Sequence, residues 1–143
     1  MTLPAASGAR ILVVRAGALG DTLMAPPVVR ALRARHPEAA IGFLSSEAAA
    51  PLLEANPAIA RVLPLRRRNL PWLLSLEKQR LARELRAARY EFAVLLESAP
   101  RFRHLLERAG IRHIRSFRET PFDPALHSIA NNLRAAGFRA PPP

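Results

Sequence analysis

Asp21 is one of only two aspartates in this 143-residue chain, and it follows a turn that holds Gly17 and Gly20. Arg15 precedes the turn and Thr22 comes directly after the carboxylate. A carboxylate in that position has two compatible roles. It can cap a helix by accepting from the first free backbone N–H groups. It can also act as a base, since an ordinary aspartate pKa of about 4 leaves it ionised at neutral pH and able to draw a proton from a hydroxyl in a transition state. A helix N-terminus keeps a carboxylate ionised, so the first role supports the second. The other aspartate, Asp123, precedes a proline, which is the pattern of a helix cap. The four histidines, His36, His104, His113 and His127, lack metal-ligand spacing, and there is no G-x-S-x-G nucleophile motif. Asp21 is left as the best candidate base.

The elements around the turn place it. Ile11 to Val14 is an apolar run with three β-branched residues, the pattern of a buried parallel strand. Beyond Asp21, Met24, Val28 and Leu32 fall at i, i+4 and i+8 and predict a helix with an apolar stripe, with Arg30 and Arg33 facing away. Strand, glycine turn and helix form the opening unit of a nucleotide-binding-type α/β fold, whose helix start offers N–H groups to an anion. Open α/β sheets place ligands at the carboxyl ends of such strands. Arg15 and Thr22 flank that pocket, as orienting groups for a phosphate or hydroxyl or as plain loop residues. The spacing Gly17-x-x-Gly20 is not the G-x-G-x-x-G of dinucleotide sites.

The stretch Val13-Val-Arg-Ala-Gly-Ala-Leu-Gly-Asp-Thr-Leu-Met-Ala-Pro-Pro-Val-Val-Arg-Ala-Leu32 resembles the amino-terminal signature of the heptosyltransferases, glycosyltransferase family nine. Members read strand, Arg or Lys, a short Gly/Ser turn, Gly-Asp, apolar residues, Pro and a helix. The resemblance implies a transferase of two Rossmann domains (GT-B) that inverts the sugar without a metal and needs no cofactor, its donor being a nucleotide sugar such as ADP-heptose. It implies that Asp21 matches the catalytic base and that the acceptor is a phosphorylated glycolipid of lipopolysaccharide-core type. It covers residues 10–138, the acceptor-side half only. The expected division is a loose tail over 1–9, a Rossmann-like domain over 10–138 and the start of a linker over 139–143. A donor-binding domain is expected to be absent, supplied by a separate partner or lost by truncation, so the chain alone should not turn over.

Composition fits anionic partners. The formal charge is +11, from 22 basic and 11 acidic residues, and Lys78 is the sole lysine. Nucleic acid is disfavoured as the main partner because no recognised binding module accompanies the charge. A basic nucleic-acid-associated protein and a non-catalytic anion-binding α/β module remain the alternatives to a transferase. There is no cysteine, no signal-peptide pattern and no apolar run near the roughly 18 residues of a membrane span. A cytoplasmic location is expected, with peripheral contact at the inner face of the inner membrane.

Further along, strands are predicted over 40–44, 60–65, 92–96 and 111–117, alternating with helices. This predicts an α/β fold, a Rossmann-like parallel sheet flanked by helices. Arg66, Arg67 and Arg68 follow the third strand and lead to Trp72. By position they match a family segment that faces the phosphorylated acceptor, and the plain alternative is a solvated basic loop. Trp72 and Leu73 read either as core or as a contact with anionic lipid. A long helix is expected over 71–89, with Leu74, Leu81, Leu85 and Ala88 buried and Arg80 pairing with Glu84. A last helix is expected from Asp123-Pro124, with Leu126, Ile129, Ala130 and Leu133 inward and His127, Asn131 and Arg134 outward. His127 falls where the family tends to place a histidine; it is either a polar contact to substrate or an exposed helical residue. One departure is that the chain reads Glu97-Ser-Ala-Pro-Arg101 where members often carry an Asp, Gln and Gly cluster.

Overall fold

A computed structural model describes residues 9–17, 22 and 24–138. The sheet begins with β1 (Arg10–Arg15), in which Ile11, Leu12, Val13 and Val14 are all fully buried. Each such side chain contributes roughly 1.5–3 kcal/mol on leaving water, which makes this the most strongly fixed strand. It lies at the centre of five parallel strands in the order β3-β2-β1-β4-β5, with β2 at Ala40–Ser46, β3 at Arg61–Leu65, β4 at Phe92–Leu95 and β5 at His113–Ser116. Ile11 stands opposite Ile41 on one side and Phe92 on the other. The edge strand β3 carries Pro64 exposed, where a missing N–H does no harm.

Alternate residues of each strand feed two cores. Ile11, Val13, Ile41, Phe43 and Val94 pack with α1 (Pro26–Arg35), α2 (Ala50–Glu54) and α5 (Ser128–Ala135). Leu12, Val14, Leu44 and Leu95 pack with α3 (Leu76–Ala88) and α4 (Pro100–Arg108). Gly42 sits under Tyr90 so closely that a Cβ there would stand 2.1 Å from the tyrosine hydroxyl. Gly110, at φ 81°, follows the end of α4 in the left-handed region. No described helix is long and apolar enough to cross a membrane.

Several local expectations are corrected. The long helix that carries Val28 and Leu32 starts at Pro26, with Ala25 at its N-cap position and prolines in its first turn, while Thr22 is itself helical and the helix start expected at Asp21 lies outside the described residues. Met24 lies in the turn before Pro26, while Val28, Val29 and Leu32 are buried. Arg33 does not simply face water: its guanidinium donates to the carbonyls of Pro37, Ala39 and Ala58. The expected helix over 71–89 is broken by Ser75, whose hydroxyl accepts from Lys78 N at 3.1 Å and starts α3. Before it, Trp72–Leu74 form one 3-10 turn, so Leu74 is 72% exposed rather than part of the buried stripe. Glu84 pairs with Arg61 of the neighbouring strand at 3.2 Å, not with Arg80. Asp123 does cap, accepting from Ala125 N at 2.9 Å, but only a turn; α5 itself starts at Ser128. Asn131 is buried, not outward: its amide donates to the carbonyls of Asp123 and Leu126 and accepts from Asp123 N, tying down the segment before α5.

Candidate functional site

From β1 the chain steps outward through β2 to β3, then returns to place β4 and β5 on the other side of β1. The order therefore reverses between β1 and β4, and a crevice outside their carboxyl ends is the expected ligand position. Ala16, just past β1, is held there from two sides. Its N–H donates to Glu97 Oε1 at 2.9 Å, and its carbonyl accepts from Arg68 Nη1 at 3.0 Å. Arg15 donates to the Leu96 carbonyl and lies 3.9 Å from the Glu97 carboxylate, both side chains being largely buried. Glu97 and Arg68 thus come from two separate segments to the backbone of Ala16 at the strand reversal, and Arg15 beside it reaches Leu96 and Glu97.

The sequence candidates divide accordingly. Asp21 and Gly20 lie outside the described residues. Gly17 forms the bend after β1 and is half-buried. Thr22 is buried, with its carbonyl accepting from Ala25 N at 3.0 Å. Asn132 reaches the same segment from α5, donating to the Met24 carbonyl at 3.3 Å. Arg66, Arg67 and Arg68 are all exposed, but they do not act together. Arg68 turns to Ala16, whereas Arg66 and Arg67 line a groove of about 520 Å³ with Arg61 and Arg80 between β3 and α3. The carboxylate of Glu77 accepts from both backbone N–H groups of Arg66 and Arg67, at 2.8 and 2.9 Å, and the Arg66 guanidinium lies 3.6 Å from the Glu47 carboxylate in an exposed ion pair. His127 is exposed and caps α5, its Nδ1 accepting from Ile129 N at 3.2 Å. It belongs to the face of the sheet opposite α3 and α4 and does not join the Arg15–Glu97–Arg68 group.

Three features were missed from the sequence. Glu97 registered only as a departure from the family pattern, although an acid immediately after a buried strand is itself a site signal. Lys78 is 2% exposed and donates to the carbonyls of Arg68 and Leu70 at 2.7 and 2.5 Å. Burial lowers its pKa, helped by the nearby Arg101 charge and opposed by Glu77. Finally, Arg103, Ser116 and Glu119 form a closed set: Arg103 donates to Ser116 Oγ at 2.7 Å and to Glu119 at 2.8 Å, and Ser116 donates to Glu119 at 2.6 Å. Burial pushes Glu119 up, but the bonds from Ser116 and Arg103 outweigh it and leave the carboxyl below its usual value. Arg103 and Ser116 border a cleft of about 510 Å³ with Glu97, Ser98 and Phe122 at the carboxyl ends of β4 and β5. Among the described residues, no group of His, Asp or Glu converges as a metal site.

Glu97→Ala should lower unfolding free energy by about 1–3 kcal/mol, because it strips the acceptor from the Ala16 N–H and removes the carboxylate 3.9 Å from Arg15. Glu97→Gln keeps an acceptor and should cost less. Urea unfolding of both variants checks this order.

No family model matches the chain. It is 29% identical over 109 residues to lipopolysaccharide heptosyltransferase 2 of Salmonella typhimurium, a match covering 72% of this chain and 31% of that protein. Among solved structures it superposes on a glycosyl transferase family 9 protein from Veillonella parvula with a TM-score of 0.80 at 21% identity, over 96% of this chain and 42% of the other. On the E. coli ADP-heptose lps heptosyltransferase II the TM-score is 0.74 at 23% identity, over 92% of this chain and 40% of the other. These likenesses establish the fold, a parallel five-stranded sheet flanked by helices as in GT-B glycosyltransferases. The chain is thus a homologue of heptosyltransferase 2 with its structural neighbours in glycosyltransferase family nine, and it spans less than half the length of these relatives.

Proposed function

We propose that this chain is the acceptor-side half of an inverting, metal-independent glycosyltransferase that moves heptose from a nucleotide diphosphate to a phosphorylated acceptor of lipopolysaccharide-core type. The observation that carries the reading is the clamp on Ala16. It fixes the carboxyl end of β1 at the strand reversal, within the segment that leads through Gly17 and Gly20 to Asp21. In this reading Asp21 takes the proton of the acceptor hydroxyl as its oxygen attacks the anomeric carbon. The nucleotide diphosphate leaves from the opposite side with the bonding electron pair, which inverts the centre. Arg66 and Arg67 hold acceptor phosphate by charge-assisted bonds. The donor belongs mainly to a second Rossmann-type half, and transfer needs both substrates in one closed cleft.

Acceptor binding requires only this half. Calorimetric titration of the chain with a deacylated, phosphorylated core oligosaccharide should show binding that weakens at least about tenfold in Arg66→Ala/Arg67→Ala. Glu77 holds this part of the loop through backbone N–H groups that the variant retains, and the exposed Arg66–Glu47 pair that it loses contributes little to stability. Parental affinity in the variant, or equal affinity for the dephosphorylated oligosaccharide, would remove the arginines from the acceptor site.

A further inference from the structure

Gln79, Arg83 and Arg86 fall at i, i+4 and i+7 of α3 and share one stripe, while His104 and Arg108 fall at i and i+4 of α4. The two stripes face each other: the Arg86 guanidinium donates to the Arg108 carbonyl at 2.7 Å. Between them Trp72, Gln79, the buried Ala82, Arg83, Arg86 and Arg108 line a groove of about 330 Å³. Its walls are fixed. Gln79 donates to the Trp72 carbonyl at 2.9 Å, and the Trp72 ring lies 5.3 Å from the Arg108 guanidinium and 5.8 Å, edge-on, from the His104 ring. No carboxylate lines this groove, and among the described residues none stands within ion-pair distance of Arg83, Arg86 or Arg108. The groove between β3 and α3 differs, because there Arg61 pairs with Glu84 at 3.2 Å and Arg66 with Glu47 at 3.6 Å.

We infer that the α3–α4 groove is a binding site for a phosphate monoester, whose dianion the guanidinium groups of Arg83, Arg86 and Arg108 take while the Trp72 ring borders the group that carries it. Three like charges gathered on two packed helices repel one another, and a dianion among them replaces that repulsion with attraction. Planar guanidinium forks suit phosphate oxygens in pairs, and a monoester presents three terminal oxygens to them. Arg86 and Arg108 are already held in place, so little side-chain freedom is lost on binding. The half-buried indole supplies the apolar wall that a sugar or nucleoside ring needs. The site is separate from the groove of Arg66 and Arg67, which takes Arg80 and Glu84 from another stripe of α3. The inference rests on no part of the sugar-transfer reading.

Trp72 is the only tryptophan, so its emission reports this groove. Inorganic phosphate, ribose 5-phosphate and adenosine monophosphate are titrated into the chain, against sodium chloride of equal ionic strength. The emission should change saturably with the phosphates and not with chloride. Affinity that rises with the ribose or the adenine assigns the phosphate to a sugar phosphate or a nucleotide, and equal affinity for all three assigns it to the free anion; each of these supports the site. Arg83 is exposed and makes no hydrogen bond or ion pair among the described residues, so Arg83→Gln should keep the parental circular dichroism. The same variant should weaken binding at least about tenfold. Arg66→Ala/Arg67→Ala should bind these probes as the parent does. Absence of saturable binding overturns the inference, as does binding that Arg83→Gln leaves unchanged or that Arg66→Ala/Arg67→Ala abolishes.

Discussion

Lys78→Met should lower the unfolding free energy by about 3 kcal/mol and the melting temperature by roughly 10 °C. Methionine nearly matches the volume of lysine and relieves the cost of burying an ammonium, which by itself would stabilise. The carbonyls of Arg68 and Leu70 decide the sign, because both accept from Nζ and no longer have that donor in the variant. If the loop stays in place it keeps two under-satisfied acceptors; if it swings out to find water, it gives up its packing. Either way residues 66–74 lose their fixed position. Amide exchange across that loop should rise sharply while β1 and β4 stay protected. A methionine variant with parental stability and parental exchange would mean that Lys78 is a passenger.

Asp21→Asn should reduce kcat of the proposed heptosyl transfer by about 10²- to 10⁴-fold, the usual contribution of a positioned general base, with the acceptor KM little changed. Asparagine is the informative replacement. It caps a helix about as well as aspartate, so a purely structural Asp21 would tolerate it with parental kcat and stability. As a base it fails, because a neutral amide cannot accept the hydroxyl proton. A large fall in kcat at unchanged melting temperature is the expected pair of results.

The sheet was legible because β1 and β4 are buried on both faces and read as unbroken apolar runs, a pattern that tertiary context cannot reverse. The five strands fall within a few residues of their expected positions. Errors gathered where a local signal was real but its reach was not. Leu74 fits the same helical period as Leu81 and Leu85, yet Ser75 starts a new helix and strands it outside. Asp123 caps, but Asn131 captures the carbonyls that a helix starting there would have used. Lys78 was readable and overlooked: the register that turns Leu81, Ala82 and Leu85 inward turns position 78 inward too. At the site, the glycine turn and the basic run were visible, whereas the convergence of Glu97 and Arg68 on Ala16, beside Arg15, was not. It joins residues more than fifty positions apart, and no local pattern encodes that contact.

Acceptor-dependent release of ADP is the most direct test of the central claim that the carboxyl edge of β1 receives the sugar acceptor of a heptosyl transfer. This chain, joined with the second Rossmann-type half that the proposed function calls for, is incubated with ADP-heptose and a phosphorylated lipopolysaccharide-core acceptor. The expected result is ADP formed only when the acceptor is present, matched by heptose on the product and undiminished by a chelator. ADP formed equally without acceptor, or none with both substrates present, would contradict it.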